Sequence, residues 1–127
     1  MTARVALIYN DPVFLDLLHT RLTADGYAVL LCTEEGQAAS RRVRTFAPDA
    51  IVLDIPTENP DQHVHLLDLF SQDEQLATVP VILCTGVVSH VEQHVATLPG
   101  PPCVILAKPY ELDDLFRLLH QVIDPTE

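Results

Sequence analysis

Residues 48–54 read Pro-Asp-Ala-Ile-Val-Leu-Asp, and residues 104–109 read Val-Ile-Leu-Ala-Lys-Pro. Each holds four consecutive apolar residues without polar alternation, the pattern of a parallel strand covered on both faces. Each also ends in a charge: Asp54 closes the first run, and Lys108, the only lysine of the chain, closes the second. A solitary ammonium at the end of a core strand is costly unless it faces an anion. Asp54 is the candidate anion. The two runs therefore predict one site at one edge of one sheet.

Working outward, the same grammar repeats. Val5-Ala6-Leu7-Ile8 is a first strand, and Asp11-Pro12 an N-cap followed by proline at the first helical position. The helix carries Phe14, Leu18 and Leu22 on one stripe and stops near Gly26. Residues 28–31 form a second strand and 36–46 a polar, exposed helix. A loop rich in Pro, Asn and Asp, residues 56–62, separates the third strand from a helix around 64–70. Val81-Ile82-Leu83-Cys84 is a fourth strand ending at Thr85-Gly86, followed by a short helix around 90–96. The breaker Leu98-Pro99-Gly100-Pro101-Pro102 precedes the fifth strand, and a last helix spans about 111–123. Five strands alternating with five helices predict an α/β fold, a doubly wound five-stranded parallel sheet with right-handed crossovers. Residues 1–127 are read as one domain, without a repeat or a linker.

Composition narrows the function. A formal net charge of −11 argues against a nucleic-acid surface. The cluster Arg41-Arg42-Arg44 reads as a solvated helix face. No apolar run reaches the roughly 18–20 residues of a membrane span, and no signal peptide opens the chain, so a cytoplasmic location without membrane contact is expected. Cys32, Cys84 and Cys103 lack CxxC spacing and read as buried thiols of a reducing compartment. His90 and His94 have helical i, i+4 spacing but no third ligand at fixed spacing; with His63 and His65 they read as surface histidines rather than a zinc site. Cys84 beside Thr85 has no sequence partner that would make it a nucleophile.

In doubly wound sheets the site lies beyond the carboxyl ends of the strands, where strand order reverses. Tyr9, Asn10 and Asp11, then Asp54, Thr85 and Gly86, and Lys108 and Pro109 occupy those ends. A carboxylate, a hydroxyl and an ammonium beside a glycine suit phosphoryl chemistry, in which an aspartate becomes an acyl phosphate. A flavin or dinucleotide site would need a Gly- or Ser/Thr-rich loop after the first strand, and Tyr9-Asn10-Asp11-Pro12 supplies neither.

The spacings Pro48-Asp-x-x-x-x-Asp54, Pro80-x-x-x-x-Thr85 and the strand ending Lys108-Pro109, with residues 4–12 and 26–36, carry a resemblance over essentially the whole length. The chain resembles a response-regulator receiver domain, of the chemotaxis-type CheY-like (flavodoxin-like) (βα)5 fold. The resemblance implies a two-component or phosphorelay module with Asp54 as phospho-acceptor. It implies that Thr85 turns toward the phosphate, that Lys108 pairs with the phosphate or with Asp54, and that Lys108-Pro109 is a cis peptide.

Three departures qualify the resemblance. Receivers carry two adjacent acidic residues after the first strand, which hold Mg²⁺. With Pro12 and Gly26 fixing the register, Tyr9 and Asn10 replace that pair and Asp11 is an N-cap; a shift by one residue would make the pair Asn10 and Asp11. We take the first register, which leaves Asn10 as a weak neutral donor and Mg²⁺ binding weak or absent. The switch aromatic of the fifth strand is replaced by Ile105. The loop after Asp54 lacks the family's glycines, so the metal-ligating backbone carbonyl that the resemblance puts two residues beyond the acceptor, at Pro56, is expected to be reshaped. The chain is thus expected to be an atypical receiver that signals by protein contact rather than as an enzyme. Expected partners are a histidine kinase, a phosphotransfer protein or another signalling protein, and a homodimer through the last helix, the fifth strand and the preceding helix. The alternatives are a pseudo-receiver that binds its partner without phosphorylation and, more remotely, a cofactor-binding or enzymatic flavodoxin-like domain.

Overall fold

The computed structural model describes residues 2–9 and 11–123. Its elements are β1 (Arg4–Ile8), α1 (Pro12–Ala24), β2 (Ala28–Cys32), α2 (Gly36–Phe46), β3 (Ala50–Ile55), α3 (Pro60–Ser71), β4 (Val81–Thr85), α4 (Val88–Val95), β5 (Cys103–Ala107) and α5 (Leu112–Ile123). All strand pairings are parallel, in the order β2-β1-β3-β4-β5. The chain leaves β1 toward β2 on one side and returns to β3 on the other, so the reversal of strand order falls between β1 and β3. Among the described residues no helix is long and apolar enough to cross a membrane.

Side chains alternate across the sheet with a period of two, and this divides the core. Val5, Leu7, Val52 and Ile82 pack with Leu15, Leu18 and Leu22 of α1 and Leu115 and Leu119 of α5. Ala6, Ile8, Ile51, Leu53 and Leu83 pack on the other face, with Ala39 and Val43 of α2, Val64, Leu67 and Phe70 of α3, and Val91 of α4. Strands buried on both sides must be continuously apolar, which is why 50–53 and 81–84 read as unbroken runs.

Two helices depart from the sequence reading. α3 starts at Pro60, four residues earlier than expected, because Asn59 adopts a left-handed conformation (φ 52°) and Pro60 takes the first helical position. α4 starts at Val88 rather than near His90; its N-cap position, Val87, offers no side-chain cap for a composition-based reading to find. α1 ends as expected, with Gly26 at φ 96°.

Candidate functional site

β3 and β5 deliver Asp54 and Lys108 to the same edge. Lys108 Nζ lies 2.6 Å from Asp54 Oδ1 and donates a second bond to the Ile55 carbonyl at 3.4 Å. The side chains retain 30% and 19% of their exposure, so the pair is sheltered but reachable from solvent. The Lys108–Pro109 peptide is cis, and so is Gly100–Pro101, which the sequence reading did not single out.

Strand parity decides which of the other expected residues face this pair. Asp54 shares its parity with Val52, and Lys108 with Leu106, so both head toward the α1/α5 side, where Tyr9 and Cys84 also lie. Thr85 and Ile105 have the opposite parity. Thr85 is fully buried, and its Oγ1 accepts from the Val87 amide at 2.9 Å, at the entry to α4. Ile105 packs against the core beneath α3 and α4. Neither lines the cleft over Asp54.

Tyr9 occupies the first position after β1, and its side chain turns inward. It is 3% exposed; its hydroxyl donates to Cys84 Sγ at 3.5 Å and lies 3.2 Å from the Tyr110 hydroxyl. Burial drives the Tyr9 phenol far above its ordinary range, with the neighbouring Cys84 and Tyr110 adding to the effect. Burial likewise raises Tyr110 and Cys84. Cys84 is therefore a protonated core thiol, in keeping with a structural rather than a nucleophilic role. Asp11 caps α1: its Oδ1 accepts from the amides of Val13 (3.0 Å) and Phe14 (3.4 Å). Asn10 lies outside the described residues. Pro56 is half-buried, and in this loop it is the preceding carbonyl, of Ile55, that reaches Lys108.

Over the Asp54–Lys108 pair lies an open cleft of about 550 Å³, walled by Tyr9, Phe14, Tyr110 and Leu112, with Asp11, Asp54 and Lys108 as its charged groups. Of its lining, Phe14, Thr57, Tyr110 and Leu112 were not site candidates in the sequence reading, whereas Gly86 was. Thr57 and Gly86 meet across the rim: a Cβ on Gly86 would lie 3.0 Å from Thr57 Oγ1, so glycine lets the two loops close together. Tyr110, two residues past Lys108, was detectable as a strand-end residue; Thr57 carries no sequence signal. The histidines are also placed differently from a simple solvated face. His90 Nε2 meets Asp61 Oδ1, and His94 Nε2 meets Asp68 Oδ1, each at 2.7 Å, tying α4 to α3. Among the described residues no group of three or more His, Cys, Asp or Glu side chains is arranged to hold a metal ion.

No family model matches the chain. It is 28% identical over 123 residues to the transcriptional regulatory protein GlrR of Escherichia coli, covering 96% of this chain and 26% of that protein. The chain thus spans about a quarter of the length of this curated relative. Among solved structures, the chemotaxis response regulator CheY4 of Vibrio cholerae superposes with a TM-score of 0.77 at 17% identity, over 96% of this chain and 99% of that one. The receiver domain of the sensor histidine kinase PA1611 of Pseudomonas aeruginosa, solved with magnesium in its active-site cleft, gives 0.72 at 23% identity, over 97% and 98%. The fold is that of a response-regulator receiver domain. Within this fold, the β3/β5 edge of this chain is built around Tyr9, the Asp54–Lys108 pair and an aromatic wall.

Proposed function

We propose that the chain is a cytoplasmic receiver module of two-component signalling, acting through protein–protein contacts, with Asp54 as its phospho-acceptor. The observation that carries this reading is the Asp54–Lys108 pair at 2.6 Å, at the edge of β3 and β5 and open to the cleft. An Asp54 carboxylate oxygen would attack the phosphorus of a phosphohistidine or acyl phosphate, the donor's own bond to phosphorus would break, and Lys108 would neutralise the charge gathering on the phosphoryl oxygens. Thr85 would have to leave the Val87 amide to join it.

The donor set does not fit a hard divalent cation well. Mg²⁺ takes oxygen ligands, commonly one or two carboxylates. Here Asp54 already faces an ammonium, Asp11 commits one oxygen, Oδ1, to capping α1, and the Tyr9 hydroxyl points into the sheet. We assign weak or absent Mg²⁺ binding, with Asn10 and the Pro56 carbonyl as minor donors. Incubation with acetyl phosphate or beryllofluoride at millimolar Mg²⁺, read by intact mass and NMR, tests the reading. One phosphoryl group gained by the native chain and not by Asp54→Asn is expected; an inert native chain would overturn it.

A second reading, a pseudo-receiver working without phosphorylation, is favoured by Tyr9, whose buried ring stands where a carboxylate would be needed. Under it, Asp54→Asn leaves partner binding intact, and a loss of binding with the fold preserved refutes it. The partner would be a histidine kinase, phosphotransfer protein or other signalling protein. α4, β5 and α5 would form the contact face, including that of a homodimer, with no role for nucleic acid or membrane.

A further inference from the structure

The cleft over Asp54 has a wall that phosphoryl chemistry does not use. Tyr9 and Phe14 have ring centroids 5.3 Å apart, and Phe14 and Tyr110 meet edge-on at 6.5 Å. Tyr9 is buried behind, whereas Phe14 and Tyr110 are half-exposed and present ring surface to the opening. At about 550 Å³ the space is in the range of small-molecule sites.

The charges select among ligands. The cleft has two carboxylates, Asp11 and Asp54, against one ammonium, Lys108, in a chain of formal net charge −11. An anionic ligand would need Lys108, which is already held by Asp54 Oδ1 and the Ile55 carbonyl, and would bring a further negative charge beside Asp54. A neutral ring would gain only from apolar contact. An organic cation gains from the ring faces, from Asp11 at the exposed end of α1 and from the field of the whole protein. We infer that this cleft is a binding site for a small organic ammonium, of single-ring size or less, held between Phe14, Tyr110 and the Asp11 carboxylate. The inference does not rest on phosphorylation of Asp54, and either can fail alone.

The test is an NMR titration with 2-phenylethylammonium, its neutral isostere 2-phenylethanol and its anionic isostere 3-phenylpropionate. The ammonium is expected to shift the amides of Gly86, Tyr110 and Leu112 saturably, with a Kd of about millimolar for so small a probe. Both isosteres should bind at least about fivefold more weakly. Asp11→Asn keeps a helix-capping side chain but removes the charge, and Phe14→Leu keeps an apolar wall but removes the ring. Each should weaken the ammonium at least about threefold with the thermal midpoint of the free protein little changed. No saturable shift at about ten times that concentration, equal binding of either isostere, or undiminished binding in both variants would overturn the inference.

Discussion

Lys108 and Asp54 show how a residue pair is constrained by its surroundings. A buried charge stripped of its partner costs several kcal/mol, and an exposed ion pair contributes almost nothing. This pair, 30% and 19% exposed, lies between those limits. Lys108→Met should destabilise the fold by about 1–3 kcal/mol in urea denaturation, because Asp54 is left sheltered and unpaired. Adding Asp54→Asn should recover part of that loss. A double-mutant cycle with no coupling would mean that the pair is solvated after all. Cys103 gives a second residue-scale expectation. Burial pushes its thiol up to about 11, so at neutral pH it is protonated and a poor nucleophile. Alkylation should be slow near neutrality and accelerate as pH rises toward that value, as followed by mass spectrometry. Fast labelling at neutral pH would contradict the burial argument.

Among the elements, α4 stands out by how little holds it. It has eight residues, no side-chain N-cap and one buried side chain, Val91. Its link to α3 is made by two His–Asp contacts of equal length and unequal shelter. His90 and Asp61 are 50% and 84% exposed, whereas His94 and Asp68 are 33% and 28% exposed. Solvent screens the first pair far more than the second. His94→Ala should therefore raise amide exchange across α4 several-fold, and His90→Ala should change it little. Equal effects would show that burial does not rank the pairs. The helix boundaries that escaped sequence reading belong to this scale too. The starts of α3 and α4 depend on Asn59 in a left-handed conformation and on an uncapped Val87, neither of which hydrophobic periodicity reports.

For the whole molecule, one consequence of the sheet's two-sided burial is its response to base. Tyr9, Tyr110, Cys84 and Cys103 are all raised by burial above their ordinary values of 10.0 for the phenols and 9.0 for the thiols. The folded chain keeps these protons where the unfolded chain has begun to release them. Their contribution to stability is thus complete below about pH 9 and is lost as pH rises through the folded values. The thermal midpoint should hold from neutral pH to about 9 and then fall, less steeply in Tyr9→Phe. A flat alkaline limb would count against the buried placement of Tyr9. Much of this molecule was legible beforehand: unbroken apolar runs, Pro at helix starts and Gly at a helix end determined five strands, five helices and a parallel sheet. The meeting of Asp54 and Lys108 was also legible, because both close core strands of one sheet. Only the tertiary structure decided which side chains share the cleft. A period of two sends Tyr9, Asp54, Cys84 and Lys108 to one face and Thr85 and Ile105 to the other, and strand order then sets Tyr110 and Phe14 around the charges. Motif spacing runs along the chain, whereas an aromatic wall forms across it, from residues brought together by packing.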